Sequence, residues 1–320
     1  MSEALLHQDG NDTADYTPVA AATGGQVVCL PDGRAAVIPT DVAAGSLGSA
    51  SAEGIYIVTK AASLVWVDGC EIWWDHSANA AVLAPSGDKD FYLGVAVGDV
   101  AAATVTGKVN LNVKATYLVD LAVHAAKTAI VKTVVGSTTV EVPHVERHGG
   151  SNVLILGTTA EAQKVDLLST RGFSVDSNWI VEGIVNIITN GDASAVDFNI
   201  GVASGTHASD ADTIAESVFL HVDGASLNIM AESDDGTTEV TTVDTTVDAV
   251  LGTPFSFVID GRDPAGVLLY IDGVAVLTGS TFVLTDATGP LYLLAHLEKS
   301  SDDSPGTFSI DQLRVRIANE

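Results

Sequence analysis

Only two of the 320 residues are cysteine, Cys29 and Cys70, too few for a multi-disulfide framework. A single bridge between them is neither required nor excluded by the sequence, and the simplest reading is synthesis in a reducing cytoplasm. Basic residues are also scarce. Lys and Arg number 14 against 41 Asp and Glu, a net charge of −27, which argues against a broad phosphate-neutralising surface. Nucleic acid is therefore not an expected partner. Long apolar runs are missing too: nothing approaches the ~18 to 20 continuous apolar residues of a membrane span, so no membrane is expected. Residues 1–10, Met-Ser-Glu-Ala-Leu-Leu-His-Gln-Asp-Gly, lack both the basic start and the apolar stretch of a secretory signal.

What is present is a globular composition, 47% hydrophobic and 17% charged, so the acid excess rides on a chain that should fold. Val, Ala, Thr, Gly and Asp dominate, and apolar runs of four to six residues alternate with turn signals, which predicts an all-β protein. Asp-Gly recurs along the chain; Asp272-Gly273 between Val267–Ile271 and Val274–Leu277 predicts a hairpin with a type I′ turn. Seven short strands within residues 1–115 predict a small barrel or sandwich. Val42–Ala52 is rich in small residues and reads as a surface loop. Residues 116–150 read as a connection, with a helical alternative over Tyr117–Val135, and Gly149-Gly150 closes it. Ten strands from residue 151 to 320 predict a larger two-sheet sandwich of the jelly-roll kind, with Gly205–Asp212 and Glu298–Gly306 as exposed loops.

The first third reads Asp15-Tyr16-Thr17-Pro18, Gly24-Gly25-Gln26-Val27-Val28, Ala43-Ala44-Gly45, Glu53-Gly54-Ile55-Tyr56, Trp73-Trp74-Asp75, Gly94-Val95-Ala96 and Val109-Asn110-Leu111. This succession resembles a family of tailed-phage capsid decoration, or cement, proteins, some of which carry a recombinase label. A phosphate-binding loop would need Gly, four residues, then Gly-Lys-Ser/Thr. Here Gly107-Lys108 is followed by Val109 and preceded by Gly98, so the ATPase reading fails. The second domain resembles, in architecture, the concanavalin-like jelly rolls that phage structural proteins append.

Candidate sites are few. His144, Glu146 and His148 at i, i+2, i+4 would share one face of a strand and form a workable metal set, against a solvated linker strand as the plain alternative. Asp9/Asp12/Asp15, Asp210/Asp212, Asp234/Asp235 and Asp302/Asp303 could ligate calcium but match no closed loop motif and read as turn residues. Asp68/Glu71 and Glu71/Asp75 could be offered as glycosidase pairs, although carboxylates beside Asp-Gly turns usually serve the turn. Ser204 misses the nucleophile-elbow spacing by one position, and both cysteines sit in or beside apolar strands as inert buried thiols. Trp66, Trp73 and Trp74 offer an interface anchor, with Trp73 and Trp74 on opposite strand faces. Trp179 is a candidate sugar-stacking ring. Residues 1–18, with Leu5 and Leu6 as their apolar patch, are a candidate arm that adds a strand to a capsid edge.

The resemblance implies a structural protein and not an enzyme. It is expected to be made in the host cytoplasm without a cofactor, to assemble as a homotrimer, and to bind the major capsid protein on the virion exterior. The rival expectation is a virion adhesin whose jelly roll binds host-surface glycan.

Overall fold

The computed structural model describes residues 4–9, 13–85, 87, 89–117, 119–120, 130–136, 140–144, 151–191, 196–208, 210–300 and 303–317. The described chain is all-β apart from a 3-10 turn at Ala211–Thr213, and it forms two compact units, the first Met1–Thr116 with Asp272–Val274 and the second Tyr117–Ile271 with Ala275–Glu320. No helix among the described residues is long and apolar enough to cross a membrane.

The first unit holds β1 (Ala4–Asp9), β2 (Thr13–Tyr16), β3 (Val27–Cys29), β4 (Ala35–Val37), β5 (Gly48–Ser51), β6 (Gly54–Thr59), β7 (Glu71–Asp75), β8 (Ala80–Val82), β9 (Phe91–Ala96) and β10 (Thr106–Leu111). They form a six-stranded sheet, β1-β6-β10-β9-β7-β8, and a four-stranded sheet, β2-β5-β4-β3. Alternation drives the pattern: in β6 and β10, Tyr56, Val58, Val109 and Leu111 are buried while their neighbours are half-buried. Two small cores result, one around Trp66, Trp74, Ile72 and Leu93 and one around Ile38, Ala36 and Ala50. Trp66 lies against Gly107, where any Cβ would fall 2.1 Å from the indole ring. Asn112, at φ 58°, ties the sheets together: its Oδ1 accepts from the Ala35 N–H and its Nδ2 donates to the Ala35 and Ala52 carbonyls.

Two expectations change here. Within residues 1–18, Ala4–Asp9 pairs antiparallel with β6 and Thr13–Tyr16 with β5, so these stretches extend edges of the chain's own sheets. Val42–Ala52 is not simply a surface loop, since Gly48–Ser51 is a strand and Ala50 and Ala52 are buried. Small side chains there admit close packing, which composition alone does not distinguish from a loop.

The second unit holds β11 (Val119–Asp120), β12 (Ile130–Val135), β13 (Val140–His144), β14 (Ser151–Leu156), β15 (Gln163–Ser169), β16 (Phe173–Ser174), β17 (Trp179–Thr189) and β18 (Val196–Ala203). It continues with β19 (Ser217–Asp223), β20 (Asn228–Asp234), β21 (Glu239–Asp248), β22 (Phe255–Gly261), β23 (Leu268–Ile271), β24 (Val274–Val276), β25 (Pro290–Lys299) and β26 (Gly306–Ile317). One sheet runs β13-β14-β26-β17-β22-β23-β24 with β11 on β26, and the other β12-β15-β25-β18-β19-β20-β21 with β16 on β25. Their facing apolar rows make one core that includes Val181, Phe198, Leu220, Phe257, Leu297 and Phe308, the two-sheet sandwich expected from the strand spacing. The hairpin at Asp272-Gly273 is present with both turn residues at positive φ, 48° and 74°, as a type I′ turn requires.

Residues 116–150 are more than a connection. Ile130–Val135 pairs with β15 and Val140–His144 with β14, because the outer strands of each sheet offer unpaired edges that these β-branched residues fill. The helical alternative fails over Ile130–Val135; residues 121–129 lie outside the described residues.

Candidate functional site

The sheet containing β15, β25, β18, β19 and β20 turns one face to the core and carries polar side chains on the other. In β18, Val196, Phe198, Ile200 and Val202 enter the core, so Asp197 and Asn199 project away from it. In β19, Val218, Leu220 and Val222 point in, which sends His221 and Asp223 to the same outer face. Register then aligns Asp166, His296, Asn199, His221 and Met230 in one row across the five strands. An outward face would normally be wet. Here Asp210–Glu216 folds back over it, its 3-10 turn capped by the Asp210 carboxylate, which accepts the Asp212 N–H at 3.0 Å, and Ala211 and Ile214 packed on Phe219 and Leu294.

Beneath that segment His221 is 3% exposed and ringed by acids. Its Nδ1 lies 3.2 Å from Asp212 Oδ1 and 4.0 Å from Glu232 Oε2, and its Nε2 lies 2.8 Å from Asp223 Oδ1 and 3.2 Å from Asp197 Oδ1. Asn199 Nδ2 donates to the same Asp212 Oδ1 at 2.5 Å. Burial alone would depress the His221 pKa, but the hydrogen bond to Asp212 and the Asp197 and Asp212 charges carry it up to about 10. Burial, and then Asp212 beside it, pushes Glu232 up to about 9; burial pushes Asp197 up to about 7. Chemically the arrangement can store protons or hold a cation. His221 itself is buried, while the Asp212 and Asp223 side chains remain partly exposed.

Farther along the same face, Lys164, Asp166, His296 and Glu298 form a second buried network. Asp166 Oδ2 is 3.0 Å from Lys164 Nζ, its Oδ1 is 2.5 Å from His296 Nδ1, and His296 Nε2 is 3.2 Å from Glu298 Oε2. Lys299, expected at the start of an exposed loop, is also buried, its Nζ donating to the Gly157, Thr159 and Ser304 carbonyls.

The residues singled out from sequence fare unevenly. Trp179 is fully buried, seated on Gly261 where a Cβ would lie 2.0 Å from the ring, with its N–H donated to the Val175 carbonyl; it cannot stack on a sugar. Trp66 and Trp74 are likewise fully buried and drop out as interface anchors, whereas Trp73 is half-buried and meets Tyr92 edge-on, ring centroids 5.5 Å apart. Glu146 and His148, the side chain of His144, and those of Leu5 and Leu6 lie outside the described residues, as do Asp12, Asp302 and the side chain of Asp9. Asp68 accepts the Gly98 N–H, and Asp75 accepts the Ser77 and Ala78 N–H groups, so both serve turns. Asp234 and Asp235 do the same for Gly236, Thr237 and Thr238. Of the acidic pairs whose side chains are described, Asp210 and Asp212 join a larger cluster. Ser204 Oγ donates to the Ala215 carbonyl; Cys70 is buried, but Cys29 is exposed, against the buried-thiol expectation, and neither forms a disulfide.

Sequence reasoning missed His221, Asp197, Asn199, Asp223 and Glu232. Their signal was alternation, as in Val-Asp-Phe-Asn-Ile and Leu-His-Val-Asp, which marks an outer face. Nothing in it marks the cover.

Comparison with known proteins decides the first unit, where residues 7–111 match the family model described as phage cement protein. Over that segment the chain is similar to the phage cement protein family. The cement domain thus occupies almost all of the first unit. The chain is also similar in fold, at low identity, to solved structures. The Emp47p carbohydrate recognition domain matches with a TM-score of 0.43 and 11% identity over 63% of this chain and 95% of that one. A Bacteroides ovatus mixed linkage glucan GH16 protein, in complex with a product, matches with 0.44 and 8% over 62% and 100%. A structure from work on endo-acting O-glycanases of the human gut microbiota matches with 0.43 and 11% over 64% and 100%. No curated protein matches the chain.

Proposed function

We propose that the protein decorates the exterior of an assembled phage head, the cement domain contacting the major capsid protein and the β-sandwich serving as an appended module. The observation that carries this reading is the family match over residues 7–111. The net charge of −27 supports it, since an acidic outer protein repels packaged DNA and other virions alike. A cement that binds only the mature lattice stabilises that lattice by mass action, and several weak contacts per oligomer multiply into firm attachment. We infer a homotrimer on the same family grounds and a structural, non-enzymatic role. Co-sedimentation of the full chain with undecorated mature heads tests the reading: saturable binding is expected, carried by residues 1–116, and absence of binding by the full chain overturns it. Mass measurement by light scattering tests the trimer.

A second reading keeps the sandwich as a glycan-binding module. It is favoured by an open cleft of about 440 Å³ bordered by Phe173, Ser174, Thr288, Pro290 and the half-buried Tyr292. Glycan screening of the full chain, with Tyr292→Ala as the comparison, decides it.

A further inference from the structure

We propose that the cement domain meets the capsid through an apolar tip at one end of its four-stranded sheet, where Val19 and Leu47 project from two loops hydrogen-bonded to each other; the proposal rests on the decoration reading above. Composition marks the tip first. Charged residues make up 17% of the chain, yet residues 16–31 and 42–52 contain none. The fold then brings the two stretches together. Tyr16 at the end of β2 pairs with Gly48 at the start of β5, so the loops that flank this pair leave the sheet at the same end.

Backbone bonds hold the loops in place. Ala22 and Val42 exchange both N–H···O=C bonds, at 2.9 and 2.8 Å, and the Gly45 N–H donates to the Pro18 carbonyl at 2.8 Å. The Asp41 carboxylate accepts the Gly24 N–H at 2.8 Å and ties the base of the second loop to the first. Ala22 and Val42 turn inward to join Ile38 and Ala50 in the small core. Val19 and Leu47 are left in solvent, 100% and 70% exposed, with Ala20, Ala21, Ala43 and Ala44 exposed beside them in sequence.

Aliphatic side chains displayed on pinned turns lose little freedom when a partner covers them, so their burial is realised as affinity. The size of the tip selects the partner. Two aliphatic side chains and four alanines cover far less than the about 800 Å² per partner that a stable pair of free chains needs. A small contact of this kind works where it is repeated, on a lattice that engages several tips at once. Both loops also lie inside residues 7–111, the stretch that matches the cement family. The complementary surface is an uncharged apolar hollow on the major capsid protein, since an acid buried in the contact without a partner would oppose docking and the tip brings none.

The test uses the full chain and undecorated mature heads. Val19→Ser with Leu47→Ser should lower affinity for heads at least about tenfold. Unfolding temperature and solution mass by light scattering should stay unchanged, because both side chains stand in solvent. Val19→Ile with Leu47→Met keeps the tip apolar and should bind as the unaltered chain does. Val250→Ser removes an exposed aliphatic side chain from the second unit and should also bind normally. Equal head binding by the serine variant and the unaltered chain, or an equal loss with Val250→Ser, would overturn this surface and leave the decoration reading standing. No binding by the unaltered chain would overturn both. A lower solution mass for the serine variant would show that the tip joins copies of this chain, and would overturn the capsid as its occupant.

Discussion

The cement domain and the β-sandwich pack the same kind of strand at different scales. In the first unit strands run three to six residues and bury two separate small cores; in the second they reach twelve and bury one continuous core between two broad sheets. Both place an indole on a glycine, Trp66 on Gly107 and Trp179 on Gly261. They differ in what else they bury. Among the described residues of the first unit Lys60 is the one buried charge, its Nζ donating to the Ala61, Leu64 and Ala102 carbonyls, while the second sequesters two charged networks on one sheet face. Desolvating charge is costly, and a large core can offset it where a small one cannot.

The largest effect that separates the units should come from the two tryptophans. Trp179→Ala leaves a large cavity and an unpaired Val175 carbonyl, and should cost about 3–5 kcal/mol. Trp66→Ala should cost a similar amount in a smaller fold. Denaturant unfolding followed separately in each unit should show each substitution acting on its own transition; one shared transition lowered equally by both would dissolve the contrast. Gly261→Ala, which forces a Cβ into the Trp179 ring, should cost less, about 1–3 kcal/mol, on the second transition.

How the units were legible from sequence follows the same division. Alternating apolar runs disclosed β6 and β9 in the first unit and β17, β22, β25 and β26 in the second, because a strand with one buried face writes its period into the chain. Gly48–Ser51 was hidden because its side chains are too small to carry a hydrophobic signal, although Ala50 is wholly buried. The His221 cluster was hidden for a different reason: its residues lie on three strands and a loop spread over 197–232, and local periodicity cannot show that an outward face is covered. Trp179 illustrates the converse error. An isolated aromatic reads equally well as a ligand platform or as core until its seat on Gly261 is seen.

The buried networks also give the second unit a pH dependence of its own. Burial would lower the His296 pKa, but hydrogen bonds to Asp166 and Glu298 raise it to about 9, above its usual 6.5. A folded-state value above the unfolded one gives stability that is fully present below pH 6.5 and is lost as pH rises through about 9. The second transition of the unaltered chain should therefore weaken from about pH 6.5 to about pH 10 relative to that of His296→Gln, while the first transition responds alike in both proteins. Parallel pH curves for the two proteins would remove His296 from the account.

The smallest effect on folding is expected at Trp73, and there it carries the most information about attachment. Trp73 is half-buried on β7 with Tyr92 against its edge, while the neighbouring Trp74 fills the core. Trp73→Ala should cost only about 0.5–1.5 kcal/mol, the worth of an aromatic pair beyond its burial. If the outward ring anchors the cement domain on the head, the same substitution should lower head occupancy by about tenfold or more, corresponding to about 1.4 kcal/mol or greater at a buried contact. Normal stability with reduced occupancy would assign this strand face to the capsid. Undiminished occupancy would leave the ring as part of the fold and send the search for the contact to the other exposed faces of the domain.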